Sequence, residues 1–174
     1  MTDDELMQAA LAEARGALAR GEFPVGCVIA DRSGILVRAA RRGSTGPSPS
    51  ELAHAEMIAL KRLELVAPQP EAQDLTLAVT LEPCLMCYGA ILLAGIGKIV
   101  YAYEDAMGGA TGCPLERLGP LYPARRARIV AGLRRGEALA LFQAFFADPA
   151  TGYWQESLLA RYTLAQQPGQ DPRS

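Results

Sequence analysis

Two short runs carry residues that could do chemistry together: His54-Ala55-Glu56 and Pro83-Cys84-Leu85-Met86-Cys87. His54 is the single histidine of the chain, and Cys84 and Cys87 are two of its four cysteines. That count excludes any reaction needing two histidines in one chain. A metal site using His54, a Ser or Cys nucleophile paired with it, and a histidine with no chemical role all stay open. Cysteines three apart at a helix start share one face, so both thiolates can reach one ion. Tetrahedral zinc takes four ligands, and a catalytic site leaves one for water. His54, Cys84 and Cys87 make three protein ligands, so the arithmetic closes on one open zinc site. A Cys-x-x-Cys redox pair would leave His-x-Glu unexplained. A Cys nucleophile using His54 as its base would leave the second cysteine unexplained.

Glu56 follows His54 by two residues, about 200° of rotation on a regular helix, so mid-helix the two side chains would diverge. At a helix N-terminus side chains lean back past the first turn, and both can reach one cavity. A helix should therefore begin near His54, where its positive end also favours an ionised Glu56.

The elements that must position these residues are legible in the pattern. Asp3 to Arg20 is an amphipathic helix, with Leu6, Met7, Ala10, Leu11, Ala14, Ala17 and Leu18 at three-four spacing. Val25 to Ala30 and Ile35 to Ala39 form a hairpin around Asp31-Arg32-Ser33-Gly34, and residues 43–50 form a loop. A helix follows over Ala53 to Leu65. Leu75 to Leu81 is a strand with Leu75, Leu77, Val79 and Leu81 on one face. Pro83 opens a helix that runs to Ala94, because its missing N–H is not needed in a first turn. Lys98 to Tyr103 is a fourth strand, and Asp105 to Pro123 is an irregular loop. A short fifth strand is expected at Arg128 to Val130, and helices over Gly136 to Phe146 and Tyr153 to Tyr162. This alternation after an opening hairpin makes an α/β layered domain with a mixed sheet.

Length and composition bound the rest. The 174 residues are half hydrophobic with a formal net charge of −2. They suit one domain over 1–166 with a frayed tail at 167–174, and exclude a disordered, collagen-like or disulfide-dense chain. The acidic start, Met1-Thr2-Asp3-Asp4-Glu5, lacks the basic and apolar regions of a secretory signal, so a cytoplasmic protein with reduced thiols is expected. From Cys84 to Tyr103 the only charge is Lys98, but Gly89, Gly95 and Gly97 break the run into helix, turn and strand, and no membrane span is expected. Arginines cluster at 38, 41 and 42 and again from 125 to 135. With a slightly acidic total they are read as solvated surface, and nucleic acid is not favoured as a partner. Cys27, among valines, is a small core residue, and Cys113 has no assigned role.

Together the two motifs resemble the zinc nucleobase-deaminase signature. The likeness extends through Glu22-Phe23-Pro24-Val25-Gly26-Cys27-Val28, Ala53 to Met57, Val79 to Cys84 and Met86 to Ile91. The chain is similar to the cytidine deaminase superfamily over about residues 5–146. Within it, the branch of tRNA adenosine, guanine and fungal-type cytosine deaminases is the nearest. The resemblance implies a three-layer α/β/α fold with a central five-stranded sheet, one Zn2+ per chain and a homodimer. It implies that His54, Cys84 and Cys87 hold zinc, which lowers the pKa of a water, and that Glu56 moves the protons that release ammonia. It also implies that the base is held by Ala55 and by the carbonyls near Glu82 and Pro83.

Two departures bear on the substrate. The tRNA and cytosine branches usually carry an Asn upstream of the histidine, at a place that falls here around Gly43, and this chain has no Asn at all. The C-terminal stretch Ala147 to Tyr162 has only Arg161 as a base, and its Trp154 resembles an aromatic lid over a free base. The expected function is hydrolytic deamination of a small nucleobase, nucleoside or related amino-heterocycle. The alternatives are a tRNA-specific adenosine-to-inosine deaminase and a non-enzymatic zinc-stabilised module.

Overall fold

The computed structural model describes residues 1–46 and 49–167. Thr2 opens the first helix, α1 (Asp3–Ala19), by a reciprocal cap. Its hydroxyl accepts the Glu5 amide at 3.2 Å, and the Glu5 carboxylate accepts the Thr2 amide at 2.8 Å. The expected apolar stripe, Leu6, Met7, Ala10, Leu11, Ala14 and Ala17, is the buried face.

The strands are β1 (Gly26–Ala30), β2 (Ile35–Ala40), β3 (Thr76–Leu81), β4 (Lys98–Tyr103) and β5 (Arg128–Ala131). They form one sheet in the order β2-β1-β3-β4-β5. β1 runs antiparallel to β2 and to β3, whereas β3, β4 and β5 are parallel, so the sheet is mixed as expected. Asp31 fixes the hairpin turn by accepting the Ser33 and Gly34 amides at 2.7 and 3.2 Å.

α1 and α4 (Arg135–Ala147) cover one face of the sheet, and α5 (Leu158–Ala165) packs on α4. α2 (Ala55–Leu63) and α3 (Leu85–Ala94) cover the other face. This is the expected three-layer α/β/α architecture. Covering both faces changes one expectation: β3 does not alternate between core and solvent, because Leu77 through Leu81 are all buried. Close approach on the α1 side depends on Gly26, where a Cβ would stand 2.1 Å from the Ala10 carbonyl oxygen.

The apolar run from Cys84 to Tyr103 resolves into α3, a left-handed Gly95 (φ 78°) that ends it, and β4. Among the described residues no helix is long and apolar enough to cross a membrane. Two helix starts differ from expectation. Pro83 does not open α3: the chain stays extended out of β3, and Cys84 (φ −69°, ψ 171°) caps the helix while bridging to Gly109. The last helix starts at Leu158 rather than Tyr153, where the Ser157 hydroxyl accepts the Ala160 amide at 3.0 Å. The expected loop over 105–123 contains one short turn of helix at Leu115–Arg117, and another follows at Pro123–Arg125. Of the expected tail, residues 168–174 lie outside the described residues.

Candidate active site

Two helices begin at the same place. His54 is the cap residue of α2 and Cys84 the cap residue of α3; both have extended backbones, and neither side chain makes a capping hydrogen bond. Cap side chains ordinarily satisfy an orphan amide of the first turn. Here they face each other instead. His54 Nδ1 lies 3.6 Å from Cys84 Sγ and 3.4 Å from Cys87 Sγ. All three donor atoms lie within 4.8 Å of one another. A tetrahedral zinc, about 2.0–2.1 Å from nitrogen and 2.3 Å from sulfur, sets such atoms roughly 3.5 Å apart.

The electrostatics fit the same ion. The Cys87 thiol donates toward Cys84 and, with His54 beside it, holds the Cys84 sulfur down to about 4, as a thiolate. Cys87 is pushed up correspondingly, first by that hydrogen bond and then by burial. His54 is raised by its bond to Cys84 despite burial. A dication bound here would take both sulfurs as thiolates. His54, Cys84 and Cys87 are positioned to bind one zinc ion.

Glu56 is the second residue of α2, and at the helix start its carboxylate reaches the cavity of His54, as its spacing predicts. It is 3% exposed, and its Oε2 has no hydrogen-bond partner among the described residues. Burial pushes its carboxyl above the ordinary carboxylate range.

These residues open on a cavity of about 70 Å³. One water needs roughly 10–15 Å³, so the space suits a small planar ring. Phe23 and Val25 form one wall, and Arg41 stands just beyond β2. His54, Ala55 and Glu56 contribute the start of α2, and Leu81, Glu82 and Cys84 the end of β3 and its link to α3. Asp105 and Gly108 come from the following loop, and Tyr153, Trp154 and Leu159 from the C-terminal segment.

The residues expected to hold a base are placed differently from one another. Ala55, at the first position of α2, is in the wall, and an amide there has no acceptor within its helix. The Glu82 carboxylate is committed to the 105–111 loop, accepting the Asp105 amide at 3.3 Å and the Thr111 amide at 3.2 Å. Gly109 lies so near that a Cβ would stand 2.4 Å from Glu82 Oε2. Pro83 is buried but outside the wall, and its carbonyl accepts the Ala110 amide at 3.0 Å. Trp154 does return to the cavity, stacked on Tyr153 with ring centroids 5.3 Å apart, in a left-handed backbone (φ 53°) that a tryptophan seldom adopts. Cys27 is fully buried in β1, as expected.

Among the wall residues that the sequence does not announce are Arg41 and Tyr153. Arg41 sits in a run with Arg38 and Arg42 that reads as surface, yet it is 2% exposed. Gly43, the place where an Asn would be expected, is not in the wall; its amide is bound by Glu22 at 3.0 Å and its φ is 69°. Tyr153 had no signal beyond proximity to Trp154.

Comparison with known proteins agrees with this geometry. Residues 1–103 match the cytidine and deoxycytidylate deaminase zinc-binding region. The tRNA-specific adenosine deaminase of Bacillus subtilis (strain 168) is 34% identical over 149 residues, covering 85% of this chain and 91% of that protein. A structure from work on A-to-I editing by tRNA:A34 deaminases superposes with a TM-score of 0.69 at 29% identity, covering 79% of this chain and 98% of that one. Guanine deaminase from Nitrosomonas europaea superposes with a TM-score of 0.66 at 27% identity, covering 84% and 86%. A three-ligand zinc site with a buried carboxylate beside it, on this fold and with these relatives, belongs to one chemistry: the chain is a member of the cytidine and deoxycytidylate deaminase family and a zinc-dependent hydrolytic deaminase.

Proposed function

We propose that this deaminase converts adenosine to inosine within a transfer RNA. The observation that carries the proposal is the 34% identity to a tRNA-specific adenosine deaminase over nearly the full length of both chains. It reverses the order in which composition alone ranks a small heterocycle and RNA. A net charge near zero does not prevent phosphate contacts: Arg117, Arg125, Arg126 and Arg128 are all exposed along one stretch of chain.

The reaction exchanges an exocyclic amine for oxygen: water adds at the amine-bearing carbon and ammonia leaves. When bound by His54, Cys84 and Cys87, zinc supplies Lewis acidity that brings the pKa of water toward neutrality. Glu56 takes one proton from the attacking water and delivers it to the adjacent ring nitrogen, then takes the remaining hydroxyl proton as the carbon–oxygen double bond forms and passes it to the departing amine. Its burial keeps that proton exchange inside the cavity and away from solvent. Ala55 at the start of α2 offers its backbone amide to the base. Cytoplasmic location and a homodimer belong to the same reading, and Leu85 and Leu93, both exposed on α3, are available to such an interface.

A free nucleobase is the second reading, supported by Trp154 in the cavity wall and by the likeness to guanine deaminase. One assay separates them: ammonia release from an adenosine-containing tRNA anticodon hairpin, and from adenine, guanine, cytosine and their nucleosides, with zinc measured on the same sample. Inosine formed in the RNA, with steep salt dependence, is the expected result. Release from a free base alone overturns the proposal in favour of the second reading.

A further inference from the structure

Among the described residues, two buried side-chain polar atoms lack a hydrogen bond: Glu56 Oε2 and a terminal guanidinium nitrogen of Arg41, Nη1. Both residues line the same cavity. The orphan on Glu56 has an explanation in the chemistry proposed for it. The orphan on Arg41 does not.

Arg41 follows the last residue of β2, and its amide still bonds to the Val25 carbonyl at 2.8 Å, so the backbone is held as part of the sheet edge. Its side chain is held as well. Nη2 donates to the Tyr153 hydroxyl at 3.3 Å and stands 3.8 Å from the Glu51 carboxylate, and the guanidinium carbon lies 5.8 Å from the centre of the Tyr153 ring. Tyr153 in turn donates to Glu51 at 3.1 Å and stacks on Trp154. A guanidinium tethered on one nitrogen and left open on the other is pre-organised as a donor. Buried donors are almost always satisfied, so an unmet one in a cavity wall implies an acceptor that arrives with the ligand. Glu51 cannot serve both nitrogens at that distance, and it is largely exposed.

We propose that Arg41 is a specificity-determining residue that donates a hydrogen bond to a purine ring nitrogen, N3 or N7, of the base held in the cavity. Arginine pairs well with such acceptors because its N–H groups are fixed in plane and permanently charged. The inference rests on the reading of this cavity as the site of a purine deaminase, and it adds the atom that the protein recognises. A substrate lacking that acceptor would leave the buried Nη1 donor unmet, which is where strong discrimination arises.

The test is a cycle between enzyme and substrate. Wild type, Arg41→Gln and Arg41→Lys are assayed on an RNA hairpin bearing adenosine, 3-deazaadenosine or 7-deazaadenosine, and on adenine and guanine with their corresponding deaza analogues. Folding is checked by circular dichroism melting. The expected result is that Arg41→Gln loses roughly 30-fold or more in kcat/KM on the parent base. One deaza analogue should be equally poor with wild type and should lose nothing further in the variant, and Arg41→Lys should recover part of the rate. Equal losses on the parent and both analogues, the signature of a phosphate contact or a purely structural role, overturn the proposal. So does an unchanged rate in Arg41→Gln. A wild type active on a free purine and not on RNA refutes the RNA reading alone, and the same cycle on that purine then decides the role of Arg41. A wild type that turns over none of these bases overturns both.

Discussion

Cys87 Sγ stands 3.4 Å from His54 Nδ1, although 33 residues separate them in the chain. The contact exists because α2 and α3 lie side by side on one face of the sheet and start at the same edge. Each residue contributes a donor at a helix start, and with Cys84 they reproduce the spacing of a zinc ligand set.

Cys84→Ala removes one of three ligands and should abolish stoichiometric zinc. Metal analysis of the purified protein checks this directly, against one zinc per chain in the wild type. Because zinc binds only the folded arrangement, the variant should also melt at a lower temperature, and added zinc should not restore it.

Glu56→Gln keeps the shape of the side chain and removes its capacity to carry a proton. Zinc content should be unchanged, and ammonia release should fall by about 10²–10⁴-fold, the usual worth of a positioned general acid–base. Loss of zinc in this variant, or a near-normal rate, would reassign Glu56.

Glu82→Ala should act through the loop. Without its carboxylate, the Asp105 and Thr111 amides lose their acceptor. An unmet buried donor costs about 1–3 kcal/mol, so urea unfolding should shift by an amount of that order. Asp105 and Gly108 form part of the cavity wall, so KM should rise with it.

Glu22 sets an acid dependence. Partial burial pushes its carboxyl up, but the Ser44 hydroxyl and the Ser44 and Gly43 amides outweigh it and hold the group below the ordinary carboxylate range. A carboxyl depressed in the folded state adds stability above its unfolded value, near 4.3, and that stability is lost as pH falls through the lower folded value. Wild type should therefore lose stability below about pH 4.3. Glu22→Gln should be less stable at neutral pH and show a flatter dependence in that window, measured by thermal melting across pH.

Much of the site was readable because its determinants are local. A ligand type is a property of a residue, and the spacing of His54 to Glu56 and Cys84 to Cys87 fixes which side chains share a helix start. The periodicity of α1 and the hairpin around Asp31 were readable for the same reason: capping, turns and three-four spacing act within a few residues. Burial on both faces of β3 and the bend that delays α3 past Pro83 were not, since each depends on what packs against the segment from elsewhere.

By itself, the amino-acid sequence determined the zinc ligands' identities, the carboxylate beside them and the layered fold, because those follow from chemistry and from short-range pattern. Only the tertiary structure decided the surroundings of the cavity. Arg41 looks like one of three surface arginines until Tyr153 and Glu51 enclose it, and Trp154 joins the wall only because the chain returns from α4 to the cavity. Which side chains line the cavity depends on contacts across more than a hundred residues, as between Arg41 and Tyr153, and no local pattern encodes a contact of that range.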